Sequence, residues 1–272
     1  QTPNPKPQTP NPRGGGESTW VKAVSFRLKS QQQMKPFASK HGMILFGVPG
    51  AGKGTFGRLL GNDFGALKVS PGDLFRKVLK SEGESPIKAL LESAVSQGRL
   101  VDDATTWRAV KGHLADNAGQ SRLIFDGVPR NTGQAETLQA EFDLRRFVLV
   151  NILLEDSVLV EKLTARRVCN CCGRNYNLCC IKRDGYDMDP LLPAKEGECD
   201  DCKGCLVQRK DDTQEVIKGR LELYEKETQP VMKILEQAGV KKIDFSPKKG
   251  VKDYPELKKR LEPILKELEI KN

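Results

Sequence analysis

One stretch narrows the possible folds more than any other. Residues 43–60 read MILFGVPGAGKGTFGRLL. An apolar run enters Gly47-Val48-Pro49-Gly50-Ala51-Gly52-Lys53-Gly54-Thr55, and a helical pattern follows. Glycines let successive backbone N–H groups turn inward on an anion without Cβ clashes. The helix N-terminus adds the positive end of its dipole, and Lys53 adds a mobile cation. A strand feeding such a loop, with a helix leaving it, calls for a parallel sheet around it. The loop departs from the general P-loop pattern at one place. Gly54, not Ser or Thr, follows Lys53, and the hydroxyl comes one residue later at Thr55.

The rest of the chain supplies the required alternation. Short apolar runs at 43–48, 66–70, 122–126, 147–154 and 241–245 are separated by helical patterns at 54–60, 73–80, 104–115 and 212–237. Nearly continuous apolar strands predict a doubly wound, five-stranded parallel sheet with helices on both faces. All eight cysteines fall between Cys169 and Cys205, in a segment that interrupts this rhythm. Cys169, Cys172, Cys199 and Cys202 form two CxxC knuckles, which suit a structural, tetrahedral Zn²⁺ with no open position. Such an ion replaces the hydrophobic core that a short segment cannot build. Disulfides or free thiols are the alternatives, and Cys171, Cys179, Cys180 and Cys205 leave the ligand choice open. Clustering of this kind favours a reducing compartment.

The net charge of +9 invites a nucleic-acid reading, but its distribution opposes one. Residues 1–41 carry Lys6, Arg13, Lys22, Arg27, Lys29, Lys35 and Lys40 against Glu17 alone. The smaller excess elsewhere suits polyphosphate ligands. A zinc-dependent nucleic-acid module would need aromatics interleaved with a basic face. Here most aromatics sit in apolar runs, and Trp107 reads as core. No apolar run of about 18 residues exists, so no membrane span is expected. The repeated QTPNP and the Gly14–Gly16 run predict a disordered, Pro-rich and basic tail over 1–41. Residues 18–41, free of Asp and Glu, fit a targeting remnant or a solvated tail equally well. The expected location is intracellular: mitochondrion, plastid or cytoplasm.

Five further motifs follow the loop in order. They are Ser70-Pro71-Gly72-Asp73-Leu74-Phe75-Arg76, Gly98-Arg99-Leu100-Val101-Asp102, and Phe125-Asp126-Gly127-Val128-Pro129-Arg130 with Gln134 beyond it. Then come Arg166-Arg167, and Gln208-Arg209-Lys210-Asp211-Asp212 with Arg220 on the next helix. Read alone, Asp73 and Arg76 fit an N-capped helix, and Asp126 and Arg130 fit a loop ion pair. Together with the GxPGxGKGT loop, they resemble the adenylate kinase family of nucleoside monophosphate kinases, in its form with a long zinc-binding lid.

The resemblance implies a P-loop core at 42–70, 101–167 and 210–272, a helical AMP-binding segment at 71–100, and a zinc lid at 168–209. It implies ATP contacts at Gly50, Ala51, Gly52, Lys53, Gly54, Thr55, Lys162, Arg166 and Tyr176. AMP contacts are implied at Pro71, Arg76, Arg99, Val101, Gly127, Arg130, Gln134, Arg209 and Arg220. Lys53, Arg130, Arg166, Arg209, Arg220 and Asp126 carry the transfer, with Asp126 orienting hydrated Mg²⁺. The implied reaction is Mg·ATP + AMP giving two ADP, by direct in-line attack with charge neutralised by cations. A monomer is expected, with a tail able to dock to a larger assembly. Pro71 stands for the family's usual threonine, Val128 for an aromatic, and Lys162 for an arginine that stacks on the ATP base. These departures keep GTP as donor, another nucleoside monophosphate as acceptor, or an idle nucleotide-binding subunit in view.

Overall fold

The computed structural model describes residues 35–80, 86–96 and 99–270. Residues 1–34 of the tail expected over 1–41, and Gly98 of the second motif, lie outside the described residues.

Five strands form one parallel sheet: β1 (His41–Phe46), β2 (Leu67–Val69), β3 (Arg122–Asp126), β4 (Phe147–Ile152) and β10 (Lys241–Phe245). Their spatial order is β10-β4-β1-β3-β2, with β1 in the middle between β3 and β4. Ile44 pairs with Phe125 on one side and Leu149 on the other. Alternation then sends the apolar run both ways. Ile44, Phe125 and Leu149 face a cluster with Trp107, Leu138 and Val231. Met43, Leu45 and Val150 face another with Leu60, Leu257 and Leu261. The first cluster is covered by α4 (Asp103–Asp116), α5 (Thr132–Glu141) and α8 (Val231–Gln237), the second by α1 (Lys53–Phe64) and α9 (Tyr254–Ile270). The predicted doubly wound sheet is therefore present.

Packing begins before β1, since Phe37 stacks on Phe142 at 5.0 Å and its N–H donates to the Glu141 carbonyl. The helix predicted over 212–237 is broken into α7 (Gln214–Leu223), a π-helical turn (Tyr224–Thr228) and α8. Pro230 brings no N–H to the ladder. Thr228 Oγ1 meanwhile turns to donate to the Arg130 carbonyl at 2.7 Å. The interruption ties this helix to the loop after β3.

Two excursions leave the sheet's carboxyl edge. After β2, α2 (Pro71–Lys80) and α3 (Pro86–Ser96) build a small core from Phe75, Leu91, Ala94 and Val101. After α6 (Asp156–Thr164) the chain enters the cysteine module. There β5 (Arg166–Cys169) lies between β6 (Asn175–Asn177) and β9 (Leu206–Val207), and β7 (Ile181–Arg183) pairs with β8 (Tyr186–Met188). The module closes on its own entrance, because Val168 pairs with Val207 and Cys169 with Leu206.

Candidate active site

The carboxyl ends of β1 and β3 and the N-terminus of α1 open into a cavity of about 210 Å³. In an open α/β sheet this is where ligands bind, beside the point at which strand order reverses. Gly47, Gly50 and Gly52 hold positive φ, so the loop turns its N–H groups inward as the sequence requires. Lys53 Nζ donates to the carbonyls of Gly47 and, at 2.9 Å, Val48. Withdrawal from water lowers the Lys53 ammonium to about 7, and nearby Arg130, Arg220 and Arg166 push the same way against Asp126. This lysine is held short of a counter-charge that a polyphosphate would supply.

A smaller cavity of about 80 Å³ lies under α2, lined by Pro71, Arg99, Val101 and Gln134 among others. The two cavities share one wall: Gly72, Arg76, Gly127, Arg130, Arg209 and Arg220 line both. Residues from separate elements thus converge at a junction between two ligand spaces.

The arginines at that junction are braced by carboxylates. Arg166 makes a bidentate pair with Asp212 at 2.8 and 2.5 Å, and Arg209 makes one with Asp211 at 2.8 and 2.6 Å. Arg220 reaches Asp211 at 2.9 Å and Asp212 at 3.5 Å. Bidentate geometry fixes a guanidinium plane as well as its charge. Burial works against the charge on Asp211, but Arg209 and Arg220 outweigh it and hold the carboxyl well below the usual range. Burial brings Arg220 down to about 9, with Arg209, Arg166 and Arg130 adding to the effect against Asp211. Arg130 folds back, its Nε donating to the Gly127 carbonyl at 2.8 Å. Gly127 has φ +75°, a backbone conformation that residues with side chains rarely adopt, and a Cβ there would crowd Arg130 Nη2 at 2.8 Å.

Lys68 escapes the sequence reading and joins the site. It bridges Asp73 at 2.8 Å and Asp126 at 3.2 Å while lining the larger cavity. Burial disfavours its charge, yet Asp126 and Asp73 prevail and raise its pKa. The available signal was a lysine at the centre of an otherwise apolar three-residue strand. Arg76 is paired with Asp73 at 2.5 Å. Lys53, Lys68, Arg76, Arg130, Arg166, Arg209 and Arg220 outnumber Asp73, Asp126, Asp211 and Asp212, so the junction carries an excess of positive charge.

Ala51, Gly54, Thr55 and Lys162 line the larger cavity, together with Lys53 and Arg166. Tyr176 does so too, but its ring is 1% exposed and its hydroxyl donates to Asp200 at 3.0 Å. Gln134 is committed within the protein. Its Oε1 accepts from the Arg130 N–H at 2.8 Å and its Nε2 donates to Asp103 at 2.9 Å.

The thiols of Cys169, Cys172, Cys199 and Cys202 lie within 4.8 Å of one another, with closest sulfur pairs at 3.4 and 3.6 Å. Sulfurs about 2.3 Å from a shared tetrahedral ion stand about 3.8 Å apart, so the four fit one metal. Burial opposes a Cys199 thiolate. Polar neighbours, among them the backbone N–H groups of Cys202 and Asp201, overcome it and draw the thiol down to about 6. Cys171, Cys179, Cys180 and Cys205 stand outside this group.

A glycine loop at the head of a parallel sheet, and a ring of braced arginines between two joined cavities, define a phosphate-loop phosphotransferase. The adenylate kinase family model matches residues 45–240. A GTP:AMP phosphotransferase of Plasmodium falciparum is 34% identical over 216 residues, covering 78% of this chain and 92% of that protein. A probable chloroplastic adenylate kinase 1 of Oryza sativa is 37% identical over 223 residues, covering 79% and 73%. An adenylate kinase of Thermotoga maritima is 37% identical over 207 residues, covering 74% and 89%. The chain belongs to the adenylate kinase family, and is a nucleotide-binding kinase of nucleoside monophosphates.

Proposed function

We propose that the larger cavity takes Mg·ATP, the smaller takes AMP, and the γ-phosphoryl group crosses at their shared wall. The wall itself carries this reading: a passage between two adjoining ligand spaces, lined by arginines, is what transfer between two phosphates needs. Gly50 through Thr55 hold the donor phosphates, Arg166 clamps them, and Arg76 and Arg130 grip the acceptor phosphate. Arg209 and Arg220 span both, and Asp126 orients the hydrated Mg²⁺ beside Lys68. Pro71, Arg99, Val101 and Gly127 shape the AMP side. The committed Gln134 amide sets the floor of that cavity, with adenine selected by shape and backbone groups.

In this reading residues 71–100 form the AMP-binding segment and 168–209 the lid, with Zn²⁺ on Cys169, Cys172, Cys199 and Cys202. The zinc is structural: it joins the two knuckles and supplies no step of the reaction. Among the described residues, no helix is long and apolar enough to cross a membrane. Purified protein assayed with Mg·ATP against AMP, UMP, CMP and GMP tests the proposal. Transfer confined to AMP and lost in Lys53→Ala supports it, whereas preference for another acceptor overturns the AMP assignment.

Lys162 favours a second reading of the donor. It shares its part of the cavity with Met188, Pro247 and Val251, a surface suited to a flat base, and its Nζ stands 3.8 Å from Met188 Sδ. Guanine offers O6 and N7 acceptors to a cation there, whereas adenine presents an N6 donor. The Plasmodium relative is named for GTP. The ratio of kcat/KM for GTP and ATP, measured again in Lys162→Gln, separates the two donors.

A further inference from the structure

Lys68 and Asp126 stand on neighbouring strands, and the β2–β3 ladder brings them side by side. Lys68 pairs with Ile124 across that ladder. Its stem passes beneath α1, where a Cβ built on Gly57 would meet Lys68 Cε at 3.8 Å. Its Nζ then lies 3.2 Å from Asp126 Oδ2 and 2.8 Å from Asp73 Oδ2, on the first turn of α2. Among the described residues, Lys68 is the one ion-pair partner of Asp126, while Asp73 also pairs with Arg76. Asp126 Oδ2 is 3.9 Å from where a Cβ on Gly54 would sit, and it lines the larger cavity with Lys53 and Thr55. Magnesium keeps several waters and asks for one or two carboxylates beside bound phosphates. A hard oxygen donor at the first turn of α1 therefore fits that ion.

We propose that Lys68 is a built-in cation that weakens the site's own hold on hydrated magnesium, so that the nucleotide carries the ion in and out. The proposal rests on the kinase reading of the site. A carboxylate with no partner attracts a divalent cation by itself, and would keep it after the nucleotide had gone. Here the ammonium already balances Asp126, and its charge opposes a second cation at the same oxygens. Asp73 holds the ammonium from its other side and so keeps it against Asp126. Bound phosphates bring negative charge of their own and tip the balance toward the metal. Lys68 thus acts through Asp126, as a positioning residue that sets how much magnesium the protein needs.

The test titrates Mn²⁺, which takes the same oxygen donors as magnesium, into the full chain carrying a non-hydrolysable ATP analogue. Free Mn²⁺ is read by electron paramagnetic resonance for Lys68→Gln, Lys68→Arg, Asp73→Asn and the unaltered protein. Losing the charge in Lys68→Gln should tighten Mn²⁺ binding about ten-fold, the scale of close charge repulsion in a wet cavity. Lys68→Arg keeps the charge and should bind Mn²⁺ as the unaltered protein does. Asp73→Asn leaves Lys68 less balanced and should loosen the metal. These opposite signs separate charge from packing. The magnesium concentration that half-activates phosphoryl transfer should move in the same order. Unchanged or weaker Mn²⁺ binding in Lys68→Gln overturns the proposal. So does a Lys68→Arg protein that matches Lys68→Gln, since side-chain shape would then be at work. Should Lys68→Gln fail to fold, Asp73→Asn decides, and metal held as firmly as before overturns the proposal. If the unaltered protein transfers no phosphoryl group, the kinase reading fails, while the Mn²⁺ affinities still decide what Lys68 does.

Discussion

In the sheet, Ile44 and Leu149 pack into an apolar cluster on one face and Met43 and Val150 into another on the opposite face, whereas Cys169, Tyr176 and Cys199 in the module share a cluster with little beyond Leu206. The sheet holds its shape by burial, spread over two large clusters on its two faces. The module has short strands, a two-residue ladder at its mouth, a small apolar cluster of Ile181, Tyr186 and Met188 shared with Val158 of α6, and four clustered thiols. A metal on the four thiols, as proposed, would give the module a support that the sheet does not share. That separation would suit the proposed lid, opening for ligand exchange and closing for transfer.

Four experiments break or sharpen this contrast. Replacing Lys53 with Met removes charge from the junction while leaving both kinds of support in place. We expect kcat/KM to fall about 10³-fold with the thermal midpoint and zinc content preserved. A midpoint that fell in step would tie the loop to stability instead. Leu149→Ala addresses the sheet alone, and should cost about 2–5 kcal/mol in chemical denaturation without releasing zinc. Cys199→Ser addresses the module alone. Zinc should be lost and phosphoryl transfer should fall roughly 10- to 100-fold through misplaced lid groups, while Leu149-centred stability persists. If the whole protein unfolded on zinc removal, the two regions would not be independent.

The smallest effect is a pH dependence. Lys53 sits near 7 without nucleotide, against an ordinary 10.5, and a bound polyphosphate restores its proton. Affinity for the ATP analogue should therefore drop roughly five-fold from pH 7.0 to 8.0, with proton uptake visible by calorimetry in buffers of different ionisation enthalpy. Stability without nucleotide moves the other way across that interval. The unfolded lysine keeps a proton that the folded one has shed, so this group adds stability as pH rises from about 7 towards 10.5.

The fold and the arginine ring were legible because their signals are local. Apolar runs mark the strands, and each motif announces itself within a few residues. Lys68 and the internal commitment of Gln134 were not legible, because each depends on partners distant in sequence. Lys68 acquires meaning only when Asp126 is brought alongside by the β2–β3 pairing. The break at Tyr224–Thr228 had a visible cause in Pro230, but helical periodicity on both sides concealed it.

The ladder between Val168 and Val207 also bears on how proteins of this plan can diversify. Chain enters and leaves the module through adjacent strands, while Asn177 and Asp187 add bonds to the Lys162 and Lys248 carbonyls outside it. Insertions, shorter hairpins or a metal-free replacement can be exchanged there at a modest cost in loop closure. The module has a common socket, and transplanting residues 168–207 between relatives, with their partners on α6 matched, should transfer metal dependence while leaving the recipient's sheet intact.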